Sequence, residues 1–197
     1  ANFASQQRNV TQDDYLVRAL SLPSKYGTVA KAYIEPTKAQ SISAGESNSI
    51  LDLYILSNNA QGQLTTASPA LKQNIITYLS QYRMVNDSIN IKDGFIINIG
   101  VNFDIITLPN YNNNDVLAAC ILALQDYFRI DNWQINQPII LRNLYAILDR
   151  IEGVQTVKNI EIINKVGANL GYSPYAYDIS GATMNGVIYP SLDPSIF

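Results

Sequence analysis

Two adjacent carboxylates, Asp13 and Asp14, stand near the start of the chain in RNVTQDDYLVRAL, residues 8–20. Paired acids serve general acid–base catalysis or metal binding when both reach one point. On a helix, neighbouring side chains point about 100° apart, so these two cannot easily share a site. Thr11 occupies an N-cap position with Asp14 three residues on, the spacing of a capping box, and Asp13 faces the positive helix end. The pair therefore reads as the start of a helix.

The other candidates for chemistry are no better placed. Glu35, Glu46, Asp52, Asp104, Asp126 and Glu161 are scattered, and nothing singles out two of them as a glycosidase pair. The chain has no histidine, which removes the Ser-His-Asp and Cys-His nucleophile pairs and the ordinary zinc sites. Cys120 lies in the most apolar run, where burial raises a thiol pKa and quenches its reactivity. GANLG, residues 167–171, matches neither a P-loop nor a dinucleotide fingerprint and reads as a loop. The sequons at Asn9 and Asn86 bear only on a secreted protein. No catalytic residue, metal ligand, cofactor or small-molecule substrate is expected, and the chain is not expected to be an enzyme.

The elements around these residues follow from caps and periodicity. The helix after Thr11 presents Tyr15, Leu16, Ala19 and Leu20 on roughly one side and stops before Pro23. TVAKAYIEP reads as a strand, residues 37–48 as a polar loop, and SILDLYIL as a second strand with Leu51, Leu53 and Ile55 on one face. Ser68 and Pro69 open a helix carrying Leu71, Ile75, Ile76 and Leu79. SINI and GFIINIGVNFDII predict two strands joined by a tight turn at Asp93-Gly94.

Asn112 to Asp115 starts a further helix. Pro138 opens another, with Ile139, Ile140, Leu144, Ile147, Leu148 and Ile151 apolar and Gly153 as its stop. VQTVKNIEII is a strand. The expected fold is α+β: an antiparallel α-β-β-α-β-β unit over residues 1–108, a helix-helix-strand subdomain over 109–166, and an irregular C-terminal segment over 167–197.

Two regions stand out as contact surfaces. Residues 116–124 are nine consecutive apolar residues, too wide a stripe for a helix packed on one side only. Burial between a sheet and the next helix, or contact with another subunit, would each use it; Val116, Leu117, Ile121 and Leu122 are the candidates. In GYSPYAYD, the rings of Tyr172, Tyr175 and Tyr177 could stack on sugars or cover a subunit surface.

Composition supports contacts with protein. Charged residues are only 15% of the chain, against a typical ~25%. The 13 basic residues are scattered and the net charge is −3, which argues against nucleic acid. No apolar run approaches the ~20 residues of a membrane span, and the N-terminus lacks the regions of a signal peptide. One cysteine excludes an internal disulfide framework, so a reducing compartment is the simpler assumption.

Read as a whole, RNVTQDDYLVRALSLPSKYGTVAKAYIEP resembles the opening of the baseplate J-like family of contractile phage tails. GVQTVKNIEIIN and ISGATMNGVIYPSLDPSIF resemble the wedge subunits of T4-like baseplates. The resemblance implies a structural virion protein of the tail baseplate, made in the host cytoplasm, whose paired copies form a ring that joins the wedges and changes diameter on contraction. It implies a second copy of the chain (a homodimer within a ring of dimers) and other wedge subunits as partners. It also makes this sequence the C-terminal part of a longer polypeptide, in keeping with Ala1 in place of a methionine and the abrupt DPSIF end. A receptor- or glycan-binding module of a tail structure is the alternative.

Overall fold

The computed structural model describes residues 11–37, 49–83, 87–191 and 193–197. Glu46, both sequon asparagines and most of the expected 37–48 loop lie outside them. The fold is α+β, in two compact units divided between Gly94 and Phe95. The division falls ahead of the long strand that the sequence placed before a boundary near residue 108.

The first unit opens with α1 (Gln12–Leu20), β1 (Lys31–Pro36), β2 (Ser49–Asn58), β3 (Leu64–Thr65), α2 (Pro69–Ser80) and β4 (Asp87–Asp93). The capping box forms as expected: Asp14 N–H donates to Thr11 Oγ1 at 3.3 Å, and Thr11 N–H to Asp14 Oδ2 at 2.9 Å. Strand β2 is the centre. It pairs antiparallel with β1 on one edge and parallel with β4 on the other, and β3 adds a short pair at its end. The parallel partner requires a crossover, which α2 supplies.

The face of β2 carrying Leu51, Leu53 and Ile55 meets Tyr15 and Ala19 of α1, Ile34 of β1 and Leu71, Ile75 and Leu79 of α2. Gly27 has φ +114°, and a Cβ there would fall 2.6 Å from Leu71 Cδ1, so glycine is needed both for the turn and for the close approach.

The second unit contains β5 (Phe95–Ile96), β6 (Ile99–Thr107), α3 (Asn113–Tyr127), β7 (Ile139–Ile140), α4 (Leu141–Asp149), β8 (Val154–Asn164), α5 (Ile179–Ala182), β9 (Thr183–Met184), β10 (Val187–Ile188) and β11 (Ser195–Ile196). Its frame is the antiparallel pair β6–β8, with α4 against β8 and α3 against α4. Strands β7, β10 and β9 make a small antiparallel sheet, and β11 pairs parallel with β5.

Three local expectations are corrected. The hairpin at Asp93-Gly94 does not form: β4 joins β2 in parallel, β5 joins β11, and β6 joins β8. Both runs were correctly strand-like, but adjacency in sequence did not choose their partners. The fourth helix begins at Leu141 instead of Pro138, because Ile139 and Ile140 pair with Ile188 and Val187. Its first turn is held by Leu141 N–H donating to Gly186 O, with no side-chain cap. The C-terminal segment is less irregular than expected, since it supplies α5 and three short strands.

The opposite face of β2 buries Asp52, which is 2% exposed. Lys92 Nζ lies 3.0 Å from its carboxylate and Asn90 Nδ2 3.1 Å away. Burial pushes this carboxyl up, but hydrogen bonds with Thr37, Lys92 and Asn90 and the charge of Lys92 outweigh it and hold the group below its ordinary value. A depressed carboxylate stabilises the fold above its unfolded pKa of about 3.9, and that contribution is lost as pH falls through the folded value. We expect Asp52→Asn to cost about 1–3 kcal/mol at pH 7. The difference from wild type should shrink at pH 3 in urea denaturation; an equal difference at both pH values would refute the assignment.

Candidate interaction surfaces

Helix α3 starts under Asn112, whose Oδ1 accepts from the N–H groups of Asn114 and Asp115 at 2.9 and 3.3 Å. Of its nine apolar residues only Val116, Cys120 and Leu124 are buried, a stripe one residue wide at four-residue spacing. Val116 is therefore a core residue of its own unit. It packs so close to Gly153, at φ +94°, that a Cβ there would lie 2.6 Å from Val116 Cγ2. Cys120 is fully buried, and burial pushes its thiol up, away from reactivity.

The large apolar side chains left over face outward: Leu117 is 41% exposed, Ile121 42% and Leu122 65%. Ile121 also borders an open apolar groove between α3 and β6, lined by Ile99, Val101, Phe103, Ile121, Leu124, Gln125 and Phe128. None of these residues carries a charge. The floor of this groove escaped the sequence reading, although the alternation Ile99, Val101, Phe103 was a usable signal. Phe128 stacks on Trp133 at 5.2 Å, and Trp133 Nε1–H donates to Tyr127 O at 2.9 Å, which fixes the C-terminal end of α3.

The three tyrosines of the C-terminal segment have different surroundings. Tyr175 is half-buried, its ring 4.7 Å from Phe95 and its hydroxyl 2.7 Å from Ser191 Oγ. Tyr177 donates its hydroxyl to Tyr189 O and its N–H to Asn164 Oδ1, and lies beside the Phe197 ring. Burial, then the nearby Tyr175 and Asp178, push the Tyr177 hydroxyl above its ordinary pKa. These two hold the C-terminal segment in place. Tyr172 is the one of the three left exposed. Asn136 fixes the end of the chain: its N–H donates to Ser195 O at 2.7 Å, and its Oδ1 accepts from Ser195 N–H at 3.2 Å.

Among the scattered carboxylates, the ladder brings Glu35 opposite Asp52. Asp52 is engaged by Asn90 and Lys92, so this pair belongs to the packing of the sheet. Among the described residues, no group of three or more His, Cys, Asp or Glu is arranged to hold a metal ion, and no helix is long and apolar enough to cross a membrane.

No protein-family model and no curated protein matches the sequence. Among solved structures, the fold is similar to a chain of the anti-feeding prophage (AFP) baseplate, determined by cryo-electron microscopy with six-fold symmetrisation. The TM-score is 0.58 and the identity 14%, over 82% of this chain and 34% of that one. This chain thus spans about a third of that neighbour's length, and at this identity the common property is the fold.

The tyrosine geometry separates packing from surface. We expect Tyr175→Ala and Tyr177→Ala each to destabilise the second unit by about 1–3 kcal/mol, and Tyr172→Ala by no more than about 0.5 kcal/mol. Thermal denaturation of the three variants checks this; equal effects would overturn the distinction.

Proposed function

We propose that this chain is a structural component of a contractile-tail baseplate, acting through protein–protein contacts and not as an enzyme. The observation that carries the reading is the similarity of fold to a baseplate chain over most of the length. The outward apolar row on α3 and the low charge content agree with it, since broad subunit contacts deplete charged residues in their buried centres.

In its finer form, the chain is a wedge subunit resembling the gene 6 product of T4-like phages. Its copies pair, meet other wedge subunits and join the wedges into a ring that rearranges on contraction. A surface of amides and aliphatic side chains suits such a part: hydrogen bonds to amides can be exchanged, whereas desolvated ion pairs would resist rearrangement.

A cryo-electron map of the assembled particle tests the role directly: the chain belongs in the baseplate, and density elsewhere would refute it. The contact on α3 is tested by Leu122→Glu in the full-length protein. Leu122 is 65% exposed, so the variant should stay folded while self-association weakens about tenfold or more, the size expected for losing one buried leucine. A dimer that persists unchanged in the folded variant removes this helix from the interface.

A further inference from the structure

The β6–β8 ladder has a defined phase. Lys165 N–H donates to Asn98 O at 2.8 Å, one pair beyond the Ile99–Asn164 end of the register. Ile160 N–H, opposite Phe103, donates instead to the Tyr145 hydroxyl at 3.1 Å. Hydrogen-bonded and non-bonded pairs alternate along an antiparallel ladder, so both observations give one phase. Pairs 98–165, 100–163 and 102–161 exchange hydrogen bonds, and pairs 99–164, 101–162 and 103–160 do not. The N–H and C=O groups of Ile99, Val101 and Phe103 therefore point away from β8. Among the described residues no strand lies on that edge and no hydrogen bond reaches those groups.

The same three residues line the apolar groove beneath α3. A strand added at this edge would take up the free peptide groups and, on one face, put its side chains into the groove. We infer that β6 pairs antiparallel with β6 of a second copy of this chain about a two-fold axis at Val101, giving a continuous sheet β8-β6-β6-β8. This deepens, and rests on, the assembly reading above.

The occupant follows from self-complementarity. In this register Val101 meets Val101 and Ile99 meets Phe103, so the groove of each copy receives apolar side chains. On the other face Gly100 meets Asn102, and Asp104 meets Asn98, beside which Lys165 lies on the same face. No like charges face each other. Beyond Asp104 the register with β8 shifts twice, between Asp104 and Ile105 and between Ile106 and Thr107. Such bulges increase local twist, which confines regular edge pairing to residues 98–104. The exposed Ile121 borders the same groove and is brought under cover with it.

The test is sedimentation of the full-length protein carrying Val101→Pro or Val101→Cys. Proline at 101 removes an outward N–H only, so the β6–β8 ladder and the far-ultraviolet spectrum are retained. Two hydrogen bonds are lost per dimer, and the dissociation constant rises about 10- to 100-fold. Val101→Cys places two thiols on the axis, about 5.5 Å apart at Cα. Mild oxidation then closes a disulfide across the axis, since that spacing lies in the usual disulfide range, while the buried Cys120 of the wild type yields no link.

Association unaffected by Val101→Pro, or no link through the Val101→Cys thiol, overturns the edge pairing. If association is instead lost only with Leu122→Glu, the assembly reading stands and the edge assignment falls. A protein that stays monomeric yet takes a strand from a different tail protein overturns the assignment of a second copy.

Discussion

The pairing of peptide groups along two long strands governs both units. A buried N–H or C=O without a partner is costly, so a strand can be enclosed only where both its edges are occupied. Strand β2 meets this condition, with β1 on one edge and β4 on the other, and residues 51–56 are buried on both faces. That closure is what admits a carboxylate at Asp52, because Asn90 and Lys92 on the neighbouring strand supply its partners. Strand β6 meets the condition on one side only. Its residues are half-buried or exposed, and among the described residues its outer edge runs beside the apolar groove under α3.

The same contrast separates the helices. In α1 and α2 the buried positions face the β2 sheet and much of the remainder is polar. In α3 the buried stripe has the same four-residue spacing as Leu71, Ile75 and Leu79 of α2, but the positions beside it are apolar. Leu117, Ile121 and Leu122 are then left exposed. An apolar row of this kind beside an open edge is the usual physical form of a surface awaiting another chain. Few charged groups are required to keep it specific, which fits a chain with 15% charged residues.

Much of the local structure was legible. Thr11 and Asp14, Ser68 and Pro69, and Asn112 marked helix starts correctly, because capping is decided within four residues. Leu51, Leu53 and Ile55 were recognised as one face of a strand for the same reason. Ile139 and Ile140 were misread as helical: their fit to a helical period was overruled by Val187 and Ile188, which lie far along the chain. Tyr175 and Tyr177 looked like surface rings, yet Ser191, Tyr189 and Asn164 draw them into the C-terminal packing.

What the sequence determined by itself was local and chemical. Caps and periodicity placed the first three helices, and the lack of histidine removed whole classes of nucleophile and metal site. Tertiary structure alone decided strand partnership, because a ladder joins residues whose separation leaves no periodic trace. That choice sent β4 to β2, took β6 away from the expected hairpin and gave it to β8. Among the described residues it left no strand on the outer edge of β6 at Ile99, Val101 and Phe103, and turned an apolar run in α3 into three core residues and an exposed row.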